Sequence, residues 1–414
     1  MNKKLGLAVA GAVLAFGASA ANAAIIIPAG DWTIDIGGNV NTYYTNTKFS
    51  GEAFENINRS NQVSTGLLPS ALGIGGKTRQ NDLDIAFQFT FFVGANSESG
   101  FGTTGAQGGA PGSITQSRAG DGNSINVRQA YLTFGDASWG TIKAGRDLGL
   151  FGSDAILSDM TLLGVGVGAG GPGNSTLGRI GSGYVYADWI GQIQYASPNW
   201  NGFSFAVAAR EGLRNNLAGL SAEDSKLGFD GKVSYEWTGD VSGKVWAGFI
   251  TQKHEGGSFT TGGVTTAVDN YTSRGYDVGA KINIADFGLV GYYYDGRGLD
   301  VQTGGQLGGL QFLSGNKSDD KGGYVQGTYK LPGVGTKLGL SYGISKSDNA
   351  SNALAGANVD RENKSWIVGA YHPLTKSLNL VAEYAQQKLE TQAPGVADVD
   401  GKAKTISLGA ILFF

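Results

Sequence analysis

The sequence predicts an all-β fold, a transmembrane antiparallel β-barrel of about sixteen strands with short turns at one end and long loops at the other. Three observations predict it. The final strand alternates strictly in polarity. The chain opens on an export signal but contains no later run long enough for a spanning helix. Its connections alternate short with long.

In the last eleven residues, Lys404 to Phe414, every second position counted back from the end is apolar: Leu412, Ala410, Leu408 and Ile406. Thr405, Ser407 and Gly409 lie between them, so period two sends the sets to opposite faces. An exposed aromatic at the end of such a strand fits the aromatic rings of a membrane barrel. A soluble sandwich shows the same period, so the strand alone does not decide.

Residues 1–23 read as a signal peptide: Lys3 and Lys4, an apolar centre from Leu5 to Phe16, and the small-residue site Ala21-Asn22-Ala23. The apolar run is shorter than the roughly 20 residues that span a bilayer. Cleavage after Ala23 removes two lysines and takes the formal charge from −3 to −5. Residues 24–414 then form one barrel domain, with no linker or second composition zone. Mean hydropathy is −0.11, as expected where lumen-facing residues dilute lipid-facing ones.

Alternation recurs along the whole chain. Leu83, Ile85, Phe87, Phe89 and Phe91 make one apolar face, with Asp84, Gln88 and Thr90 on the other. Leu227, Phe229, Val233, Tyr235 and Trp237 alternate with Asp230, Lys232, Ser234 and Glu236. The short connections fall at Arg79–Asp82, Gly135–Trp139, Ser197–Asn201, Thr238–Asp240, Ala285-Asp286, Pro332–Gly335 and Pro373–Lys376. The long ones fall at Thr47–Thr65, Ser97–Gly122, Leu148–Ser182, Arg214–Glu223, Gly256–Tyr271, Leu299–Asp320, Asp348–Arg361 and Thr391–Lys402. Seven short and eight long connections make sixteen strands; one misread hairpin makes eighteen. Short periplasmic turns opposite long external loops are the pattern of outer-membrane barrels.

Composition excludes much chemistry. Cys 0 removes disulfides, thiolate nucleophiles and thiolate metal sites. His 2 leaves little imidazole, and neither His254 nor His372 stands where a Ser-His-Asp site would form, so no enzyme is expected. A near-neutral charge balance gives no footprint for nucleic acid. Gly164 to Gly171 lacks the lysine and Ser/Thr of a phosphate loop, and neither Asp230 nor Asp319-Asp320 has calcium-loop spacing, which leaves them as solvated loop charge. No cofactor or metal is expected. Tyr43-Tyr44 and Tyr292-Tyr-Tyr294 suit an interfacial girdle better than a sugar track.

The longest loop, Leu148 to Ser182, is the functional candidate. A barrel of this width encloses water unless something folds inward. The loop carries Asp154 and Asp159, then glycine-rich Gly164 to Gly173, and returns through Leu177-Gly-Arg179. Folded into the lumen, its acids would face wall arginines across a narrow passage; the alternative is a solvated surface loop.

Asn126-Val-Arg-Gln-Ala-Tyr-Leu-Thr-Phe-Gly135, Trp139-Gly-Thr-Ile-Lys-Ala-Gly-Arg146 and Asp154-Ala-Ile-Leu-Ser-Asp-Met160 resemble the fourth strand, fifth strand and constriction loop of Gram-negative general porins. The likeness covers the mature chain. It implies a sixteen-stranded trimer in the outer membrane that passes small hydrophilic solutes, with a third loop folded into the lumen. It implies a constriction of Asp154 and Asp159 against Arg128, Arg146 and Arg179. The partners it implies are outer-membrane lipid and lipopolysaccharide, two further copies of the chain, and the barrel-assembly machinery, which would read the strand ending at Phe414. The chain departs from the family where Ala71 replaces a second-strand arginine and Leu162 and Leu163 replace a second loop acid. Both departures imply weak charge selectivity.

Overall fold

The computed structural model describes residues 24–55, 58–95, 125–168, 175–212, 226–255, 257–261, 264–268, 270–299, 318–352, 357–392, 395 and 397–414. The expected signal peptide lies outside these residues, as does most of the Ser97–Gly122 connection.

Sixteen strands form the wall: β1 (Trp32–Ser50), β2 (Ser70–Gln80), β3 (Leu83–Val93), β4 (Asn126–Asp136), β5 (Gly140–Leu148), β6 (Trp189–Ala196), β7 (Phe203–Arg210) and β8 (Gly228–Trp237), then β9 (Val241–His254), β10 (Tyr271–Ile284), β11 (Phe287–Arg297), β12 (Asp319–Lys330), β13 (Lys337–Asn352), β14 (Ala357–Pro373), β15 (Leu378–Gln392) and β16 (Val399–Phe413). Each pairs antiparallel with its sequence neighbour, and β16 closes on β1 from Asn39↔Phe413 to Ser50↔Lys402. Closure follows from solvent: an open edge in lipid would leave each backbone N–H and C=O unsatisfied, at several kcal/mol apiece. No helix among the described residues is long and apolar enough to cross a membrane.

The seam has an added piece. Where β16 ends, Ile25–Ala29 takes over the same edge of β1, from Ile25↔Ile36 to Ala29↔Trp32. Beside it the Gly38 amide donates to Phe414 O at 2.8 Å.

The faces divide by the expected period. Leu412, Leu408 and Ile406 are exposed on the outside. Ile411 and Phe413, at 0% and 1% exposure, point inward and pack on Ala71 and Phe92. Phe414 keeps the outward parity of Leu412 and is half-buried beside Gly38, while the alternate parity turns Phe413 into the lumen. Inner faces carry Asn41, Thr45, Gln129, Gln192, Gln326 and Ser341, all buried.

Turn chemistry matches the short connections. At the β2–β3 hairpin, Asn81 and Asp82 both hold positive φ (48° and 62°), the conformation a two-residue turn needs and these side chains tolerate. The first long connection is shorter than expected: β1 runs on to Ser50 and pairs with a separate strand, Arg59–Ser64, above β2. Residues 65–69 break the edge between these two pieces and meet the long third loop.

Candidate functional site: the loop inside the barrel

The connection from β5 to β6 does not stand outside as a solvated loop. Its described residues include one short helix, α1 (Ser153–Ser158), and a 3-10 turn at Met160–Leu163. Asp159 joins the two, and its side chain accepts from the Thr161 amide at 2.9 Å. This is N-capping, which satisfies a donor the turn leaves free.

Hydrogen bonds tie the loop to inward-facing side chains around more than half of the wall. The Gly152 amide donates to Asp277 on β10 (3.1 Å). Tyr324 on β12 donates to Ala155 O (2.7 Å). Gln326, also on β12, donates to Ser158 O (3.0 Å) and accepts from the Met160 amide (2.8 Å). Tyr43 on β1 donates to Leu163 O (2.7 Å). The amides of Val165 and Gly166 both donate to Glu383 on β15, at 2.8 and 2.7 Å. Further along, Asn363 on β14 donates to Gly181 O (2.7 Å), and the Gly183 amide donates to Ser345 on β13 (3.1 Å).

The break at residues 65–69 supplies another support. The Leu67 amide donates to Gly164 O at 2.8 Å, and the Thr176 amide to Gly66 O at 3.0 Å. Gly66 is needed there, since a Cβ would stand 2.1 Å from Gly164 O. Beneath the loop, Phe151, Ala155, Ile156 and Tyr184 pack with Trp246, Tyr292, Tyr294 and Tyr324 of the wall. An apolar loop underside against inward aromatics explains why this segment leaves water.

Tyr43, Tyr292 and Tyr294 are therefore not girdle residues, at 1%, 5% and 0% exposure. Their neighbours Tyr44 and Tyr293 take the outer face, at 48% and 50%. Asp230 and Asp320 are not solvated loop charge either. Asp230 forms a buried ion pair with Arg210 at 2.7 Å. Asp320 accepts from Ser347 and Ser318, both at 2.6 Å.

Each residue assigned to the constriction has a definite place. Asp154 is buried and bridges two wall lysines, Lys232 (2.8 Å) and Lys244 (2.6 Å). Burial pushes its carboxyl up, but the two ammonium groups outweigh burial and bring it down to about 2. Asp159 is also buried and accepts from the Tyr184 hydroxyl at 2.8 Å. Burial and the Asp159 charge raise the Tyr184 phenol far above its ordinary value.

Arg179 is fully buried and donates through Nη1 to the Ser365 side chain (3.0 Å) and Ser365 O (3.3 Å) on β14. Burial pulls its guanidinium down, and the nearby Asp159 charge opposes that. Asp159 and Arg179 thus lie within reach of each other's charge inside the loop's own packing, with no ion pair between them among the described residues. Arg128 sits over the Phe92 ring at 5.0 Å on the inner wall. Arg146 pairs in register with Ala130 and Gly191, the face shared by exposed Ile193, and donates through Nε to Trp189 O at 3.1 Å. The structure does not bring Arg146 to the two acids.

Sequence reasoning missed the cations that do meet the loop, Lys232 and Lys244, and the acid that anchors it, Glu383. The signal was present: all three lie at inward parity on strands read correctly. Among the described residues, none of the hydrogen bonds from residues 153–168 reaches β3–β7. The inner face there carries its own polar chain, Thr90 to Gln129 (2.6 Å) to Asp147 (2.9 Å), with Lys143 bonded to Asp147.

Solved structures share this architecture. The anion-selective porin from Comamonas acidovorans is 18% identical, with 92% of this chain and 100% of that one covered and a TM-score of 0.58. The outer-membrane channel DcaP of Acinetobacter baumannii gives 15%, 94%, 99% and 0.62. The Salmonella typhi OmpF complex with daunomycin gives 17%, 93%, 100% and 0.55. Among curated proteins, the chitoporin of Vibrio furnissii is 27% identical over 180 residues, 40% of this chain and 45% of that protein, so the match spans less than half of the relative's length. The profile of Gram-negative porins matches residues 8–392, and with its closed sixteen-stranded wall the chain belongs to that family, an outer-membrane β-barrel channel.

Proposed function

We propose that the protein passes small hydrophilic solutes and ions by passive diffusion, and that the β5–β6 loop sets the narrowest point of the passage. One observation carries the reading: the loop is hydrogen-bonded inside the barrel along β8–β15 and β1 and its start covers Ala206 and Ala208 of β7, which leaves the polar inner faces of β3–β6 opposite it. A solute would enter between the external loops, pass between the loop and that polar wall, and leave past the short turns down its concentration gradient. There is no covalent step.

Within this proposal the five assigned residues take different roles. Arg128 lines the passage beside Phe92. Asp154, Asp159 and Arg179 support the loop from behind, and Arg146 serves the outer face near the loop's return. The loop's partly exposed edge is apolar, with Leu157, Leu162 and Leu163. Charge discrimination at this point is therefore weak, since the screening length at physiological salt is about 8 Å. The chain assembles as a homotrimer, with exposed Leu408, Leu412 and their neighbours against lipid and lipopolysaccharide, after cleavage of residues 1–23 and recognition of the Phe414 strand by the assembly machinery.

Planar-bilayer recording of the purified protein tests this. Ohmic current arriving in groups of three equal steps, with a small reversal potential in a salt gradient, is expected. No conductance would overturn it. A solute-selective pore is the second reading, favoured by the partial likeness to a chitoporin. Concentration-dependent block of the current by chitin oligosaccharides, absent with other sugars, would select it.

A further inference from the structure

Charge is unevenly placed around the inner wall on the short-turn side of the loop. Lys281 on β10 is the direct cross-strand partner of Lys244, whose ammonium reaches Asp154 on the loop. Partners in register share a face, so Lys281 looks into the lumen. Lys337, at the start of β13, pairs across to Lys330 on one side and to Tyr371 on the other. The Tyr371 hydroxyl donates to Glu383 beneath the loop, so Lys330 and Lys337 also face inward. Two pairs of lysines thus stand directly opposite one another, an arrangement that costs stability unless the charges are answered.

The available carboxylates are already engaged. Asp154 is held by Lys232 and Lys244, and Glu236 by Lys244. Asp277 accepts from the Gly152 amide and the Tyr292 hydroxyl. Asp159 is buried behind Tyr184. Among the described residues, the ammonium groups of Lys281 and Lys330 have no hydrogen-bonded or ion-paired partner, and that of Lys337 rests on the Tyr371 ring at 5.2 Å. Lys281 and Lys337 are half-buried and Lys330 is exposed, so all three heads reach lumen water. Lys281 and Lys337 stand on the same inner wall, with β11 and β12 between their strands.

We propose that Lys281, Lys330 and Lys337 form an anion-binding step on the short-turn side of the loop, which takes small oxyanions of two or more charges and gives the pore an anion preference. The proposal rests on the reading of the barrel as an aqueous passage. Ammonium groups act as point charges without the planar fork of a guanidinium, so the step selects charge rather than shape. Inorganic phosphate and other small divalent oxyanions fit it equally. A singly charged chloride meets one ammonium at a time and passes, whereas a divalent oxyanion is held between two.

The test compares wild type with the triple variant Lys281→Gln, Lys330→Gln, Lys337→Gln in planar bilayers. At 0.1 M salt, where the screening length is about 10 Å, the modest anion preference of wild type should be lost, with the anion-to-cation permeability ratio falling to about one. Millimolar inorganic phosphate added on the short-turn side should reduce chloride current through wild type and not through the variant. Equal ratios and equal phosphate sensitivity would overturn the proposal while leaving the pore reading intact. If the triple variant fails to assemble, both recordings are made on the double variant Lys281→Gln, Lys330→Gln, which leaves a single ammonium and decides in the same way, because neither lysine it removes holds another group in place. A wild-type protein that does not conduct overturns the pore reading and this step together.

Discussion

Gly166 and Glu383 lie 217 residues apart in the chain, yet the Gly166 amide donates to Glu383 Oε2 at 2.7 Å. The same carboxylate takes the Val165 amide and, on its other oxygen, the Tyr371 hydroxyl at 2.6 Å. It can come so close only because Gly164 has no side chain; a Cβ there would stand 2.2 Å from Glu383 Oε1. Glu383→Ala leaves three buried donors without their acceptor, at about 1–3 kcal/mol each. The wall hydrogen bonds are untouched, so the barrel should still form. The loop should loosen, with faster proteolysis between residues 149 and 188 and larger fluctuations in open-channel current. Wild-type protection in the variant would show that the other anchors suffice.

Asp154 offers a pH test whose sign is fixed by its lysines. Its folded carboxyl sits at about 2, below the ordinary value near 3.9. The stabilisation it gives is complete above about pH 4 and is lost as pH falls through about 2. Asp154→Asn should weaken loop anchorage at neutral pH and remove that acid step. Proteolysis by an acid-active protease at pH 4 and pH 2 measures it. Wild type should gain sensitivity between the two values, and the variant should be sensitive at both. The same step in both proteins would assign the acid transition to another carboxylate.

The wall was far more legible in the sequence than the site. Period two and turn residues act locally, so Leu83–Phe91 and the Ala285-Asp286 turn could be placed residue by residue. The loop's partners are set by closure of the sheet, which brings Glu383 to Gly166 and Lys232 to Asp154 across the lumen. Parity marked these side chains as inward but could not say which strand would lie beside the loop. Tyr292 and Tyr294 were misread because an aromatic at inward parity and one in a girdle have the same local pattern.

The C-terminus makes a third prediction. Phe413 is packed on Phe92, and Phe414 exchanges two backbone hydrogen bonds with Gly38, at 2.8 and 3.1 Å. Deleting Phe414 removes both bonds beside the seam, where Ile25–Ala29 takes over from β16. Assembly should fall, read as loss of the heat-modifiable band in outer-membrane fractions. Phe414→Ala keeps the backbone bonds and should assemble better than the deletion. Equal assembly of the two variants would put the whole effect on the aromatic ring.

Asp159 separates a charge that acts on the passage from a charge that holds the loop. It is 3% exposed, capped onto the Thr161 amide and bonded to the Tyr184 hydroxyl, with fully buried Arg179 nearby. Asp159→Asn keeps an acceptor oxygen for either donor and removes the charge. Asp159→Lys sets a second buried cation near Arg179, which costs several kcal/mol and forces the loop to rearrange. The expected outcome is a reversal potential near the wild-type value for Asn and an altered one, with altered conductance, for Lys. If Asn shifted the permeability ratio at unchanged conductance, the carboxylate's field would be reaching the passage itself. Asp159 would then belong to the constriction rather than to its scaffold.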